Sequence, residues 1–329
     1  MASQLRSLNP TIKLLFYFNS ILSYGDCYTS GPNFEDHPSY YLKNDNGIPY
    51  GGPQRHAYDL TQSPVRDFVA DSSTSVPGQG TLLDGVMADN ANDGAWEGMS
   101  TARYNALVRG HHASLNQTRS AVQMSMRPGA LLIANALTQY ATPPDHGLAL
   151  LPFVDGLMLE HFNSFESLDR VTGALSPAAF ALTARLVREA SAAGKVVLIK
   201  AWPGPICQPI GALGPSWCGP RSAPTTHAGR AEVAGTALEA ALAAYLILAT
   251  DYTFFSFSWW YTSTDGAFPC DDDGSCSAPG GWYPELSKRL GPPLGDASLN
   301  GTVYSRAFQF ASVHFDATNV SAGHISWVR

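Results

Sequence analysis

The sequence predicts an α/β protein, a single (β/α)8 TIM barrel with long top-face loops, spanning residues 1–329 as one domain. Three observations lead there. Short apolar runs alternate with helical patterns along the whole chain, the order expected of parallel strands linked by helices. Two of those runs share one pattern: Asp84-Gly85-Val86-Met87-Ala88-Asp89-Asn90 and Asp155-Gly156-Leu157-Met158-Leu159-Glu160-His161 each open on an Asp-Gly turn, continue apolar and end in a carboxylate. Finally, Asn19-Ser20-Ile21 follows the first strand where a dinucleotide-binding sheet carries a Gly-rich turn, which sets the open doubly wound alternative aside. The length of 329 residues suits one barrel with insertions, since roughly 250 is typical.

Taken in order, residues near 12–19 form the first strand, rich in aromatic and branched side chains (Leu14, Leu15, Phe16, Tyr17, Phe18). Residues 20–54 follow as a long loop with Tyr24, Tyr28, Phe34, His37, Tyr40, Tyr41 and Tyr50, and irregular stretches of that length are usually functional. A weaker second strand is expected near 55–60. Ser63-Pro64 opens a helix, with proline at its first position. The third strand lies near 83–89, and a polar loop leads to a helix over 99–126. The fourth strand lies near 130–136 and the fifth near 153–160. A helix over 177–193 stops at Gly194. The sixth strand lies near 195–202, followed by a Pro/Gly/Cys loop over 203–226 and an Ala-rich helix over 228–249. The seventh strand lies near 252–260. A short helix from Pro284 to Leu290 precedes the eighth, near 311–317.

Composition narrows the partners. The formal net charge is −7 and no basic run exists, which argues against nucleic acid or an anionic membrane. Hydrophobic residues make up 45%, enough for a sizeable core, and no run of about 18 apolar residues suggests a membrane span. Met1 to Asn9 lacks the apolar centre of a signal peptide. Even so, Asn116, Asn300 and Asn319 head N-glycosylation triplets. Cys207 and Cys218 flank a Pro/Gly-rich loop, and Cys270 and Cys276 flank an Asp-rich one, spacings that suit local disulfides; Cys27 is left over. The expectation is an extracellular or secretory-pathway glycoprotein whose signal peptide has been removed.

Five motifs, in their order, carry a resemblance. They are Phe16-Tyr17-Phe18-Asn19-Ser20, Asp59-Leu60-Thr61 with Ser63-Pro64-Val65-Arg66-Asp67, the two Asp-Gly strands, and Tyr304-Ser305-Arg306-Ala307-Phe308. Together they resemble the TIM-barrel proteins grouped as hypothetical glycosyl hydrolase family fifteen, over nearly the whole chain. The resemblance implies a barrel and action on a glycan; it supplies no substrate.

Side chains alternate along a strand, so Asp89 shares a face with Met87, and Glu160 with Met158. Both acids end their strands, where working residues sit in barrels. Asp84 and Asp155 begin theirs and are read as turn residues. Asp89 and Glu160 are therefore the expected catalytic pair of a glycosidase, facing one cavity. Glu160 is the preferred general acid and Asp89 the nucleophile or base, though the reverse assignment and both stereochemical outcomes stay open. Candidate substrate contacts at strand ends are Asn19, Asp59, Asn135, His161, Lys200, Trp202, Trp259 and Trp260, since aromatic faces pack on sugar C–H surfaces. His111 and His112 are read as solvated. No cofactor is expected: Asp271-Asp272-Asp273-Gly274 lacks the ligand order of a calcium loop, and no zinc pattern occurs. The competing readings are a glycan-binding barrel without activity and, further off, a polysaccharide lyase.

Overall fold

The computed structural model describes residues 2–23, 34–51, 55–75, 82–91, 96, 98–138, 145–162, 176–203, 207–209, 216–218, 227–258, 283–319 and 322–328. They group into two compact units, Met1–Met158 and Leu159–Arg329.

In the first unit, α1 (Ala2–Leu8) precedes β1 (Leu15–Asn19). Then come α2 (Ser63–Thr74), β2 (Gly85–Asp89), α3 (Thr101–Ser125), β3 (Leu131–Asn135) and β4 (Gly156–Leu159). The strands are parallel in the order β1-β2-β3-β4. Helix α2 starts as predicted, with Pro64 in its first turn, and buries Val65, Phe68 and Val69 at helical spacing. Helix α3 is capped by Ser100, whose side chain accepts from the Arg103 amide. It buries Leu107, His111, Leu115 and Val122. His111 is thus a core residue, not a solvated one: its spacing from Leu107 and Leu115 puts it on the apolar stripe.

The Asp-Gly turns sit where the pattern predicts. Gly85 has φ +149°, and a Cβ there would lie 1.9 Å from the Leu131 carbonyl oxygen, so β2 and β3 approach too closely for any side chain. Asp84 accepts from the Leu14 amide at 2.8 Å and from Arg6 Nη2 at 2.5 Å. Asp155 does the same one repeat later, accepting from the Leu132 amide at 2.9 Å and from Arg119 Nη2 at 2.5 Å. Each carboxylate therefore closes an amide on the neighbouring strand and is matched by an arginine. Burial alone would raise the Asp84 carboxyl. The Leu14 amide and Arg6 outweigh it and hold its pKa below the ordinary carboxylate value.

Two expected strands are not part of a parallel sheet. Residues 55–60 make only isolated antiparallel bridges, Leu22↔Ala57 and Tyr41↔Tyr58. Their backbone groups are taken by the long loop: Ala57 donates to Tyr50, Tyr58 to Ile21 and Asp59 to Tyr40. With those groups occupied, β1 pairs directly with β2.

In the second unit, α4 (Pro177–Ala192) leads into β5 (Val196–Ala201). β6 (Cys207–Pro209) and β7 (Ser216–Cys218) form an antiparallel ribbon in which Cys207 lies opposite Cys218. After α5 (His227–Leu248), β8 (Thr253–Phe257) runs parallel to β5. The predicted helix after Tyr283 is a single 3-10 turn, Pro284–Ser287. The chain ends in β9 (Ser298–Asn300), β10 (Val303–Phe308), β11 (Ala311–Asp316) and β12 (Gly323–Trp327), an antiparallel sheet in the order β12-β11-β10-β9. The expected eighth strand is β11. Only Gln309 and Phe310 separate it from β10, and a parallel crossover needs a dozen residues or more. Parallel strands among the described residues are thus six, not eight.

Helix α5 packs on β11 and β12 with buried Ala234, Leu238, Ala241, Leu242 and Ala244. Its stretch Ala231–Leu248 is apolar and long enough to cross a membrane by length and composition; a helix apolar on most sides also marks a core position. Gly323 lets β12 approach it, since a Cβ there would lie 2.6 Å from Ala240 Cα.

Candidate active site

Asp89 ends β2, and the register places Asn19 of β1 directly opposite it. Ala88 lies opposite Ala134, so Asn135 ends β3 on the other side. Three neutral donors hold the Asp89 carboxylate. Tyr17 donates its hydroxyl to Oδ2 at 2.5 Å, Asn135 donates Nδ2 to Oδ1 at 2.8 Å, and Asn19 donates Nδ2 to Oδ2 at 3.4 Å. The Asp89 carbonyl accepts from the Ser20 amide and hydroxyl at 2.9 and 2.8 Å. Asn19 is fully buried, and its Oδ1 accepts from the Ile21 and Leu22 amides at 3.1 and 2.8 Å. It therefore fixes the chain's exit from β1 as well as the acid.

The two ends of β2 differ in charge balance. Asp84 at the start has Arg6, Lys13 and Arg127 within 4 Å, at 2.5, 3.8 and 3.7 Å. Asp89 at the end is oriented by neutral donors alone among the described residues.

Glu160 lies in the second unit, half-buried just beyond β4. Its carbonyl accepts from Trp202 Nε1 at 2.8 Å, and its carboxylate lies 3.6 Å from His161 Nε2. The His161 ring stacks on Trp202, with centroids 5.5 Å apart and planes 4° from parallel. Lys200 Nζ sits 3.8 Å from the Trp202 ring centroid and donates to Ser258 O and Oγ at 2.8 and 3.0 Å. Trp202 is 3% exposed and Lys200 2%.

Asp59, expected at a strand end, instead accepts from the Thr61 hydroxyl at 2.5 Å and from Gln62 Nε2 at 2.8 Å. It stiffens the turn into α2. Trp259, Trp260, Cys270, Cys276 and the Asp271–Gly274 segment lie outside the described residues, as do Tyr24, Tyr28, Cys27 and Trp282. Asn116 is exposed on α3 while Thr118 of its triplet is buried. Asn300 and Asn319 are exposed near strand ends in the second unit. Among the described residues, no three His, Cys, Asp or Glu side chains are grouped to hold a metal ion.

Sequence reasoning missed Tyr17. The signal was parity: Tyr17 precedes Asn19 by two and must share its face. It also missed a polar cluster inside the long loop. Glu35 Oε2 accepts from the Tyr41 hydroxyl at 2.6 Å and lies 2.8 Å from His56 Nδ1, and the Tyr41 and His56 rings stack at 4.1 Å. Burial, and then Glu35, push the Tyr41 hydroxyl up to about 12.

Solved structures align with the chain at low identity. Fungal β-1,4-galactanase shares 15% identity over 78% of this chain and 70% of its own, with a TM-score of 0.42. The β-galactosidase of the psychrophilic Marinomonas ef1 shares 11% over 72% and 44%, at 0.44. An α-galactosidase of Geobacillus stearothermophilus in complex with raffinose shares 11% over 95% and 37%, at 0.42. The chain spans less than half the length of the galactosidases it aligns with, and likenesses of this size carry no argument. No curated protein matches the chain. A family model, described as hypothetical glycosyl hydrolase family 15, matches residues 6–312. That match covers most of the sequence, and the chain belongs to hypothetical glycosyl hydrolase family 15.

Proposed function

We propose that the protein is a secreted glycoside hydrolase that cleaves a poly- or oligosaccharide, with Asp89 and Glu160 as its working carboxylates and no cofactor. The observation that carries this reading is the donor set around Asp89. A carboxylate that must attack an anomeric carbon, or activate a water, has to be both ionised and oriented. Tyr17 and Asn135 each hold one of its oxygens, while the neutral donors leave the negative charge uncancelled. Asp84, on the same strand, shows the structural alternative: an acid matched by arginine. Family membership supports the reaction class.

In this reading, Glu160 gives a proton to the leaving-group oxygen as the glycosidic C–O bond breaks, and Asp89 supplies the electron pair, directly or through water. Trp202 and His161 then hold Glu160 by its carbonyl and beside its carboxylate.

The test is hydrolysis of a panel of 4-nitrophenyl glycosides and polysaccharides. Asp89→Asn and Glu160→Gln are each expected to lose about 10³-fold or more in kcat with unchanged circular dichroism. Asp89→Gly with added azide is expected to regain turnover of activated aryl glycosides, as azide bonds to the anomeric carbon and the phenolate departs. Full activity in either acid-to-amide variant would end the reading.

A further inference from the structure

We infer that Tyr17 is a substrate-contact and positioning residue: its ring is the surface on which a pyranose lies, and its hydroxyl locks both ring and Asp89 in place. This rests on the glycosidase reading above. Three observations carry it. Tyr17 points to the same side of β1 as Asn19, and the register sets it opposite Met87, on the face that Asp89 shares. Its hydroxyl meets Asp89 Oδ2 at 2.5 Å, so the ring lies within one side chain's length of the acid. And the residue is 49% exposed, although Phe18 beside it is 3% exposed and Asn19 is fully buried.

An aromatic ring left half open in mid-strand forgoes burial that its neighbours achieve. Tying down its polar end removes much of the rotational freedom that binding would otherwise have to quench. What fits such a surface is a flat apolar face with hydroxyls at its rim, the C–H side of a pyranose. A sugar laid there sits beside the carboxylate that the same residue orients. Among the described residues, the partners of Asp89 are Tyr17 and Asn19 from β1 and Asn135 from β3. Tyr17 is the aromatic member of that set.

Two substitutions separate the roles. Tyr17→Phe keeps the ring and loses the hydroxyl; kcat is expected to fall roughly 10- to 100-fold with KM within about two-fold. Tyr17→Leu loses both, and KM is expected to rise roughly ten-fold in addition. The probe is the 4-nitrophenyl glycoside of the panel with the highest turnover, with circular dichroism confirming the fold of each variant. Binding of the same glycoside, read by saturation-transfer NMR in an Asp89→Asn background, is expected to survive Tyr17→Phe and to weaken about ten-fold with Tyr17→Leu. Wild-type kcat in Tyr17→Phe overturns the locking role, and unchanged affinity in Tyr17→Leu overturns the platform. Wild-type turnover in Asp89→Asn alone instead overturns the hydrolase reading, leaving the binding comparison to decide on Tyr17. No turnover and no binding across the panel overturns both.

Discussion

Asp84→Asn should cost stability and spare chemistry, the reverse of Asp89→Asn five residues along the same strand. Asparagine keeps the shape at position 84 and can still accept from the Leu14 amide. What disappears is the charge facing Arg6, in a pair whose side chains are 13% and 8% exposed. Removing one partner of a buried pair costs about 3–5 kcal/mol. Arg6 keeps the Leu82 carbonyl as acceptor, at 3.0 and 2.7 Å, so the loss should be smaller, about 2–3 kcal/mol. At 2–4 °C per kcal/mol, thermal melts at pH 7 should show a Tm lower by roughly 5–10 °C. The pH dependence adds a signature. Because Asp84 has its pKa held below the ordinary value by Leu14 and Arg6 against the opposing effect of burial, its contribution is complete above about pH 4, where the unfolded carboxylate is ionised. It is lost as pH falls through the lower folded value. The gap between wild type and variant should therefore close only below about pH 4. A melt within about 1 °C of wild type at pH 7, or a gap unchanged down to about pH 3, would refute the account.

Three further outcomes follow from the same structure. Gly85→Ala should prevent folding or lower Tm by more than Asp84→Asn does, since its Cβ meets the Leu131 carbonyl at 1.9 Å; a wild-type melt would mean β2 and β3 are not so close. Arg306→Met should cost about 2–3 kcal/mol in denaturant unfolding, because Nη1 of Arg306 closes the Leu246 and Ala249 carbonyls at the end of α5, at 3.0 and 2.6 Å; a loss under about 0.5 kcal/mol contradicts this. Tyr41 should stay protonated to about pH 12 while ordinary tyrosines ionise near 10, and Glu35→Gln should bring its ultraviolet titration down; an unchanged titration curve would refute the coupling.

What was legible in the sequence was local. The Asp-Gly turns, the apolar runs behind them and the acids at their ends could be read because turn chemistry and strand parity operate within seven residues. Helix starts at Pro64 and Pro177 were legible for the same reason. Pairing was not. Residues 55–60 have strand-like composition, but their partners are decided by a loop tens of residues long whose backbone groups compete for them. Residues 311–316 do form a strand; the two-residue link at Gln309 and Phe310 was the cue that it turns back on β10. Trp202 was a candidate sugar contact from its place at a strand end; its burial is a property of the packed unit and was not legible. Tyr17, whose hydroxyl bonds Asp89, was reachable from parity and was passed over because its polar end has no motif.

The arginine-matched acids Asp84 and Asp155 carry one more consequence. Among the described residues, they fasten the starts of β2 and β4 with contacts drawn from α1, α3 and the residues around the strands themselves. The ion-paired acids at the strand starts are thereby separate from the neutral donor set around Asp89 at a strand end. An exchange at Tyr17 or Asn135 would leave every one of those fastenings in place, so the strand ends should tolerate substitution with less loss of stability than the strand starts.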